Sequence, residues 1–180
     1  MLDRLASIIQ PSIDFSTLPP ILRVLLLTDG TVTHSLAAYF AEDIQVRCLS
    51  QVQVGDEVIE REVMLVGELS GTEYAHAHSI IHADLLDSDM RRRLDSGQAG
   101  IGELLNANNR ETFREITQIR YCHDLPDRPN PFKVLTTGTQ PPQVIARDYR
   151  IHTQQRPLIL VTEEFPVASY LGLGLEARWP

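Results

Sequence analysis

Six segments of the sequence have the alternation or the composition of β-strands, and regular helices do not separate each one from the next. They are residues 44–54, 58–66, 73–83, 112–121, 144–152 and 157–165. The predicted helices fall instead in two blocks, one before residue 44 and one between residues 84 and 109. Because neighbouring parallel strands need long crossovers, usually helical, this order favours an α+β fold with an antiparallel sheet.

Length and charge narrow the class of protein. The 180 residues, 43% of them hydrophobic, predict a single domain spanning residues 1–180. The formal net charge of -8 argues against binding to nucleic acid, which attracts basic surfaces. The sequence has neither a membrane-length apolar stretch nor the features of a secretory signal. We therefore expect a cytoplasmic protein, a monomer or weak oligomer, without stable membrane insertion.

Arg61 lies in the middle of an alternating strand. Ile59, Val63 and Leu65 share its face, and Glu60 and Glu62 lie on the other. If the aliphatic face is buried, Arg61 needs an anionic partner, because an unpaired buried charge is costly. If the other face is buried, Arg61 is exposed. The alternation leaves both interpretations open.

The last predicted strand contains two adjacent glutamates that point to opposite faces. Glu163 shares a face with Ile159, Val161 and Phe165, whereas Glu164 lies beside Leu160. A partly desolvated carboxylate at Glu163 would suit hydrogen bonding or proton transfer. In the alternative, one glutamate faces solvent and the other pairs with a structural arginine. Because the chain is acidic overall, an anionic ligand would need buried arginines in a local pocket.

Three histidines fall on one face of the third predicted strand. His76 and His78 have a spacing that metal ligands use, and His82 follows on the same face. No carboxylate or cysteine set in the sequence completes such a site. We therefore predict structural histidines and no metal site.

Several short motifs, in order along the chain, resemble those of chorismate pyruvate-lyases. They are LLLTDGTVT at residues 25–33, Arg61-Glu62, GIGELL at 100–105, RETFREI at 110–116, and PLILVTEEFPVAS at 157–169. Val32 stands where a methionine is familiar, and His78 where better-known bacterial relatives have an arginine. These departures resemble a divergent branch of the family, of cyanobacterial or actinobacterial type.

The resemblance implies an antiparallel sheet with helices covering an internal ligand pocket. It also implies a lyase that converts chorismate to 4-hydroxybenzoate and pyruvate without a cofactor or metal, for quinone (plastoquinone- or ubiquinone-type) or phenolic-lipid biosynthesis. By position, Arg61 would bind the ring carboxylate, and Glu163 would lie at the opposite end of the ring as the candidate proton-handling group. Val32 and Ile101 would contact the ligand.

A second hypothesis follows from the same resemblance. Effector-binding domains of some bacterial transcription regulators are similar in fold to these lyases, so the fold does not guarantee turnover. The alternative function is therefore a non-catalytic domain that binds or senses an aromatic carboxylate. Turnover of chorismate distinguishes the two.

Overall fold

One six-stranded antiparallel sheet forms the centre of the molecule. The computed structural model describes residues 7–95, 101, 102, 105, 112–122, 132, 143–153 and 156–171. The strands are β1 (Ile44–Val54), β2 (Val58–Gly67), β3 (Glu73–His82), β4 (Phe113–Tyr121), β5 (Val144–Thr153) and β6 (Arg156–Pro166). Their order in the sheet is β1-β2-β3-β6-β5-β4, and every neighbouring pair is antiparallel. The predicted α+β fold is confirmed.

The sheet consists of two three-stranded meanders. Strands β1, β2 and β3 form one, β4, β5 and β6 form the other, and β3 pairs with β6 between them. Gly55 makes the turn from β1 to β2 with a φ of 64°, a conformation that glycine adopts without steric cost. All six predicted strands are present, with bounds shifted by one residue at most.

Three α-helices lie wholly within the described residues: α1 (Pro20–Leu27), α2 (Val32–Phe40) and α3 (Ser88–Asp95). Short 3-10 helices lie at Phe15–Thr17, Ala83–Leu85 and Val167–Tyr170. None of the described helices is long and apolar enough to span a bilayer.

One detail of the predicted helices differs in the structure. The sequence predicts Ser88 as the N-cap of α3, but Ser88 is the first helical residue, and Asp87 occupies the capping position. The Asp87 carboxylate accepts a hydrogen bond from the backbone N–H of Met90 at 2.8 Å, as an N-cap residue does. The sequence also predicts a short helix over residues 100–106; of these, Ile101, Gly102 and Leu105 are helical, and the rest lies outside the described residues. Residues 123–143, which five prolines and little periodicity predict to be a loop, also lie outside them, except for Phe132 and Gln143.

Helices cover one face of the sheet at two ends and leave a gap between them. Helices α1 and α2 pack on a core that includes Leu65, Ala75, Ile145 and Phe165 of the sheet. At the other end, Met90 and Leu94 of α3, together with Leu105, pack on Ile59, Ile81, Ile151 and Ile159. The pocket described below lies between these two cores. A smaller apolar cluster of Met64, Val66, Phe132 and Val144 lies on the opposite face.

Glu42 organises the turn from β2 to β3. Its carboxylate accepts hydrogen bonds from Tyr74 at 2.6 Å, from the backbone N–H groups of Leu69 and Ser70 at 3.0 Å, and from the Ser70 hydroxyl at 2.8 Å. A Cβ at Gly67 would come within 2.4 Å of this carboxylate, so a side chain there would displace the Glu42 carboxylate from its present position. The hydrogen bond from Tyr74, followed by that from the Ser70 backbone, lowers the pKa of Glu42 from 4.5 to about 2.

This depressed pKa predicts a pH-dependent contribution of Glu42 to stability. The contribution is complete above the pKa of 4.5 that the unfolded chain has and is lost as the pH falls toward about 2. We expect Glu42→Gln to lower the Tm at pH 7, and the difference from wild type to shrink between these two pH values. Thermal denaturation followed by circular dichroism measures this. Glu68→Gln removes the same charge from a nearby exposed position and should have little effect; a pH-independent loss in Glu42→Gln would contradict the assignment.

Candidate active site

A pocket with about 630 Å³ of unfilled space, part of it open to solvent, lies over the middle of the sheet. Its floor consists of two rows of side chains that the strand register aligns. One row is Arg61, Ser79, Val161 and Tyr149, and the other is Val63, Ala77, Glu163 and Arg147. All of these except Arg147 line the pocket. The floor therefore combines polar side chains with the aliphatic side chains of Val63, Ala77 and Val161.

The roof of the pocket comes from two separate parts of the chain. Residues 30–33, at the start of α2, line one side, and Ile101 and Gly102 line another. A Cβ at Gly102 would lie 2.9 Å from the Thr31 methyl carbon, so the absence of a side chain lets the two parts touch. Val32 and Ile101, both singled out by the sequence resemblance, thus lie on the pocket wall.

Arg61 lies on the pocket side of β2. It is 1% exposed, and its neighbours across the sheet in register are Gln51 on β1 and Ser79 on β3. Of the two interpretations left open by the alternation, the inward one is confirmed. The Arg61 guanidinium group shares the pocket lining with Val63, Leu65 and Ala77 and places a positive charge there.

Glu163 faces the same pocket and is held by two donors from β5. The Arg147 Nε donates to its Oε2 at 2.7 Å, and the Tyr149 hydroxyl donates to its Oε1 at 3.0 Å. Glu163 is 6% exposed and Arg147 1% exposed, so the ion pair is largely shielded from water. Both carboxylate oxygens thus have a donor, and each keeps a lone pair for a ligand.

Arg147 also connects the carboxylate to helix α1. Its Nη1 donates to the carbonyl oxygens of Leu25 at 2.5 Å and Thr28 at 2.8 Å, at the C-terminal end of that helix. The last carbonyl groups of a helix lack partners within the helix, and a cation there is favourable. One side chain therefore fixes Glu163 and the helix end that leads into the roof of the pocket.

The pKa shifts of this group follow from its burial and its charges. Burial favours a lower pKa for Arg147, but Glu163 and Tyr149 together outweigh it and the pKa is raised. Burial, followed by the charge of Glu163, raises the pKa of Tyr149 well above its ordinary value. Tyr149 consequently keeps its proton and remains a donor to Glu163 throughout the physiological pH range.

Glu164 lies on the opposite face of the sheet, where it pairs with a histidine. The His76 Nδ1 lies 3.0 Å from Glu164 Oε2, and its Nε2 lies 3.6 Å from Glu62 Oε2. Both glutamates of β6 are therefore buried, which contradicts the alternative in which one faces solvent. His76 is buried against this partner, whereas His78 and His82 are only partly buried. In the part of the chain that the structure describes, these residues form no group arranged to hold a metal ion.

The comparisons with known proteins agree with this architecture. Residues 26–171 match the family described as "Chorismate pyruvate-lyase Rv2949c-like". The chain belongs to this chorismate pyruvate-lyase family. Chorismate pyruvate-lyase from Mycobacterium leprae is 29% identical over 158 residues, covering 80% of this chain and 73% of that protein. The Mycobacterium tuberculosis protein of the same name is 28% identical over 163 residues, covering 80% and 78%.

A solved structure shares the fold of this chorismate pyruvate-lyase family member. The crystal structure of PhnF from Mycobacterium smegmatis matches with a TM-score of 0.54 and 12% identity over 78% of this chain. The match covers 65% of PhnF, just under two thirds, but 90% of its separately solved effector domain, with a TM-score of 0.53. At this identity the likeness shows the fold alone.

Sequence reasoning missed Arg147 and Tyr149. Both lie on the face of β5 that also presents Ile145 and Ile151, which are fully buried. This is the pattern that singled out Arg61: an arginine at an inward position of an alternating strand. Applying the same test to residues 144–152 would have identified Arg147 as a partner for an inward glutamate.

The buried pair predicts a distinctive mutational response. Arg147→Met should lower the free energy of unfolding by roughly 3–5 kcal/mol, because it leaves the Glu163 carboxylate buried without its cation. Adding Glu163→Gln should recover part of that loss, since the amide removes the uncompensated charge. Urea denaturation of the two single variants and the double variant measures the coupling. Simple addition of the two single effects would mean that the two side chains do not act as a pair.

Proposed function

We propose that this protein converts chorismate to 4-hydroxybenzoate and pyruvate. The observation that carries the proposal is that Arg61 and the buried Glu163 face one pocket, in a member of the chorismate pyruvate-lyase family. Strand β3 separates the two strands that bear them, which places the strand axes about 10 Å apart. That separation suits a six-membered ring with a carboxylate at one end and an oxygen at the other.

In the proposed complex Arg61 binds the ring carboxylate, since a guanidinium fork matches a carboxylate in geometry as well as charge. Val32 and Ile101 pack against the ring from the wall of the pocket. Glu163 accepts a hydrogen bond from the ring hydroxyl through a lone pair that Arg147 and Tyr149 leave available. The aliphatic side chains among the pocket residues strengthen these polar contacts by excluding water from them.

The reaction balances within the substrate. The ring carbon that bears the hydroxyl loses its proton, and the C–O bond from the adjacent ring carbon to the enolpyruvyl group breaks. The electrons of the C–H bond complete the aromatic ring, and the enolpyruvate released gains a proton on its methylene carbon to become pyruvate. The elimination is redox-neutral, so the proposal needs no oxidant or reductant. Positioning and charge stabilisation are the main contributions of the protein, with Glu163 as the candidate base.

We further propose that the 4-hydroxybenzoate formed serves quinone synthesis, of plastoquinone or ubiquinone type, or phenolic-lipid synthesis. The protein would act in the cytoplasm as a monomer or weak oligomer, on a substrate that is a small dianion.

Turnover is the first test. Purified protein treated with a chelator and incubated with chorismate should release 4-hydroxybenzoate and pyruvate in equal amounts, as followed by chromatography and a coupled pyruvate assay. Activity that depends on added metal would contradict the cofactor-free mechanism. Tight binding of 4-hydroxybenzoate without turnover would favour the sensor function instead, for which the PhnF effector domain provides a precedent in fold only.

Substitutions test the roles of the two pocket groups. Arg61→Ala should weaken 4-hydroxybenzoate binding by about 2–5 kcal/mol, because it removes the partner of a desolvated carboxylate. Glu163→Gln should reduce kcat strongly, whereas Glu164→Gln, one residue away on the other face, should retain activity. Calorimetry gives the dissociation constants and steady-state kinetics the rates. Equal losses in the two glutamine variants would show that β6 stability, rather than the pocket carboxylate, determines activity.

A further inference from the structure

A second arginine borders the same pocket and has no role in the mechanism above. Arg114 lies on β4, at the edge of the sheet, in register with Ile151 of β5, and it lines the pocket opposite the strand that carries Arg61. Its Nη1 donates a hydrogen bond to the carbonyl oxygen of Asp29, in the turn before α2. The guanidinium group is therefore held between the floor and the roof of the pocket.

The positive charge of Arg114 is not matched by a carboxylate in the described part of the chain. Its neighbour Glu115 points to the other face of the sheet, where it pairs with His152 at 3.2 Å and Arg150 at 3.8 Å. Arg147, by contrast, lies against Glu163 at 2.7 Å. Of these two arginines, Arg114 is the one whose charge is directed at the pocket rather than at a protein carboxylate.

The field of Arg114 reaches the end of the pocket where Glu163 lies. Burial and the charge of Glu163 raise the pKa of Tyr149, and the charges of Arg147 and Arg114 both oppose that rise. The Tyr149 hydroxyl donates to Glu163 Oε1 at 3.0 Å. The positive charge of Arg114 is therefore felt by a group that contacts the proposed base. An anion bound beside Glu163 would be repelled by that carboxylate unless a cation such as Arg114 offset it.

The proposed substrate carries such an anion. Chorismate has a second carboxylate, on the enolpyruvyl group, and this group is attached next to the ring carbon whose hydroxyl faces Glu163 in the proposed complex. The second carboxylate therefore lies at the Glu163 end of the pocket, away from Arg61. We propose, on the basis of the function proposed above, that Arg114 binds the enolpyruvyl carboxylate and makes the pocket selective for a dicarboxylate over a monocarboxylate.

This role separates the substrate from one of its products. The second carboxylate leaves with pyruvate, and 4-hydroxybenzoate keeps only the ring carboxylate that Arg61 binds. Arg114 should therefore contribute to chorismate recognition and not to the affinity for 4-hydroxybenzoate. A residue that merely supported the roof of the pocket would affect both ligands alike.

The test compares Arg114→Gln with Arg150→Gln, which removes the same charge from the adjacent strand on the opposite face. Arg114→Gln should raise the KM for chorismate by about tenfold or more, the loss expected for one charge-paired contact. Its Kd for 4-hydroxybenzoate, from calorimetry, should stay within about twofold of wild type. Arg150→Gln should leave the KM and the Kd unchanged. Arg114→Lys keeps the charge, so its KM for chorismate should lie between those of Arg114→Gln and the wild-type protein.

Two outcomes would overturn the proposal: an unchanged KM for chorismate in Arg114→Gln, or an equal weakening of chorismate and 4-hydroxybenzoate. The proposed function fails separately, through absence of turnover by the wild-type protein. In that event chorismate is not consumed, and calorimetry with chorismate and with 4-hydroxybenzoate still measures whether Arg114→Gln weakens the dicarboxylate selectively.

Discussion

The buried ion pair between Arg147 and Glu163 is the interaction on which the pocket depends. Two charges removed from water are stable together only if their remaining hydrogen-bonding groups are satisfied. Here Tyr149 donates to the carboxylate, and the guanidinium donates to the carbonyl oxygens of Leu25 and Thr28. The orientation of Glu163 and the position of the helix end leading to the roof are thus set by one cation. Floor and roof cannot move independently without leaving buried N–H groups of Arg147 without acceptors.

The two glutamates of β6 extend this constraint to the register of the sheet. Glu163 is matched by Arg147 on the pocket face, and Glu164 is paired with His76 on the opposite face. A slip of one residue would exchange the faces of both carboxylates and separate each from its partner. Aliphatic side chains tolerate such exchanges better than buried charges do. The strand register is therefore specified by polar pairs on both faces, in addition to the alternation of apolar residues.

How far the sequence predicts this arrangement depends on the range of the interactions. Alternation along a strand is local, and it correctly identified all six strands and placed Arg61 on a face with aliphatic neighbours. Deciding whether Glu163 or Glu164 faces the pocket requires knowing which strand lies beside β6. No single segment of the sequence contains that information. The same holds for Glu42, which contacts the β2–β3 turn more than 25 residues away. The N-cap at Asp87 was missed for a smaller reason, a one-residue error in the helix start.

Charge explains why such a pocket is needed in an acidic chain. With a formal net charge of -8, the protein repels a dianion at long range, but at physiological ionic strength the field of surface charges decays over about 8 Å. Inside the pocket the arginines act at short distance and in a lower effective dielectric, where a single contact outweighs several screened surface charges. A monoanion gains binding energy from one contact with an arginine. A dianion gains it from two contacts if the arginines lie at opposite ends of the pocket. The proposed selectivity for a doubly charged ligand thus depends on the spacing of Arg61 and Arg114 across the sheet, and little on net charge.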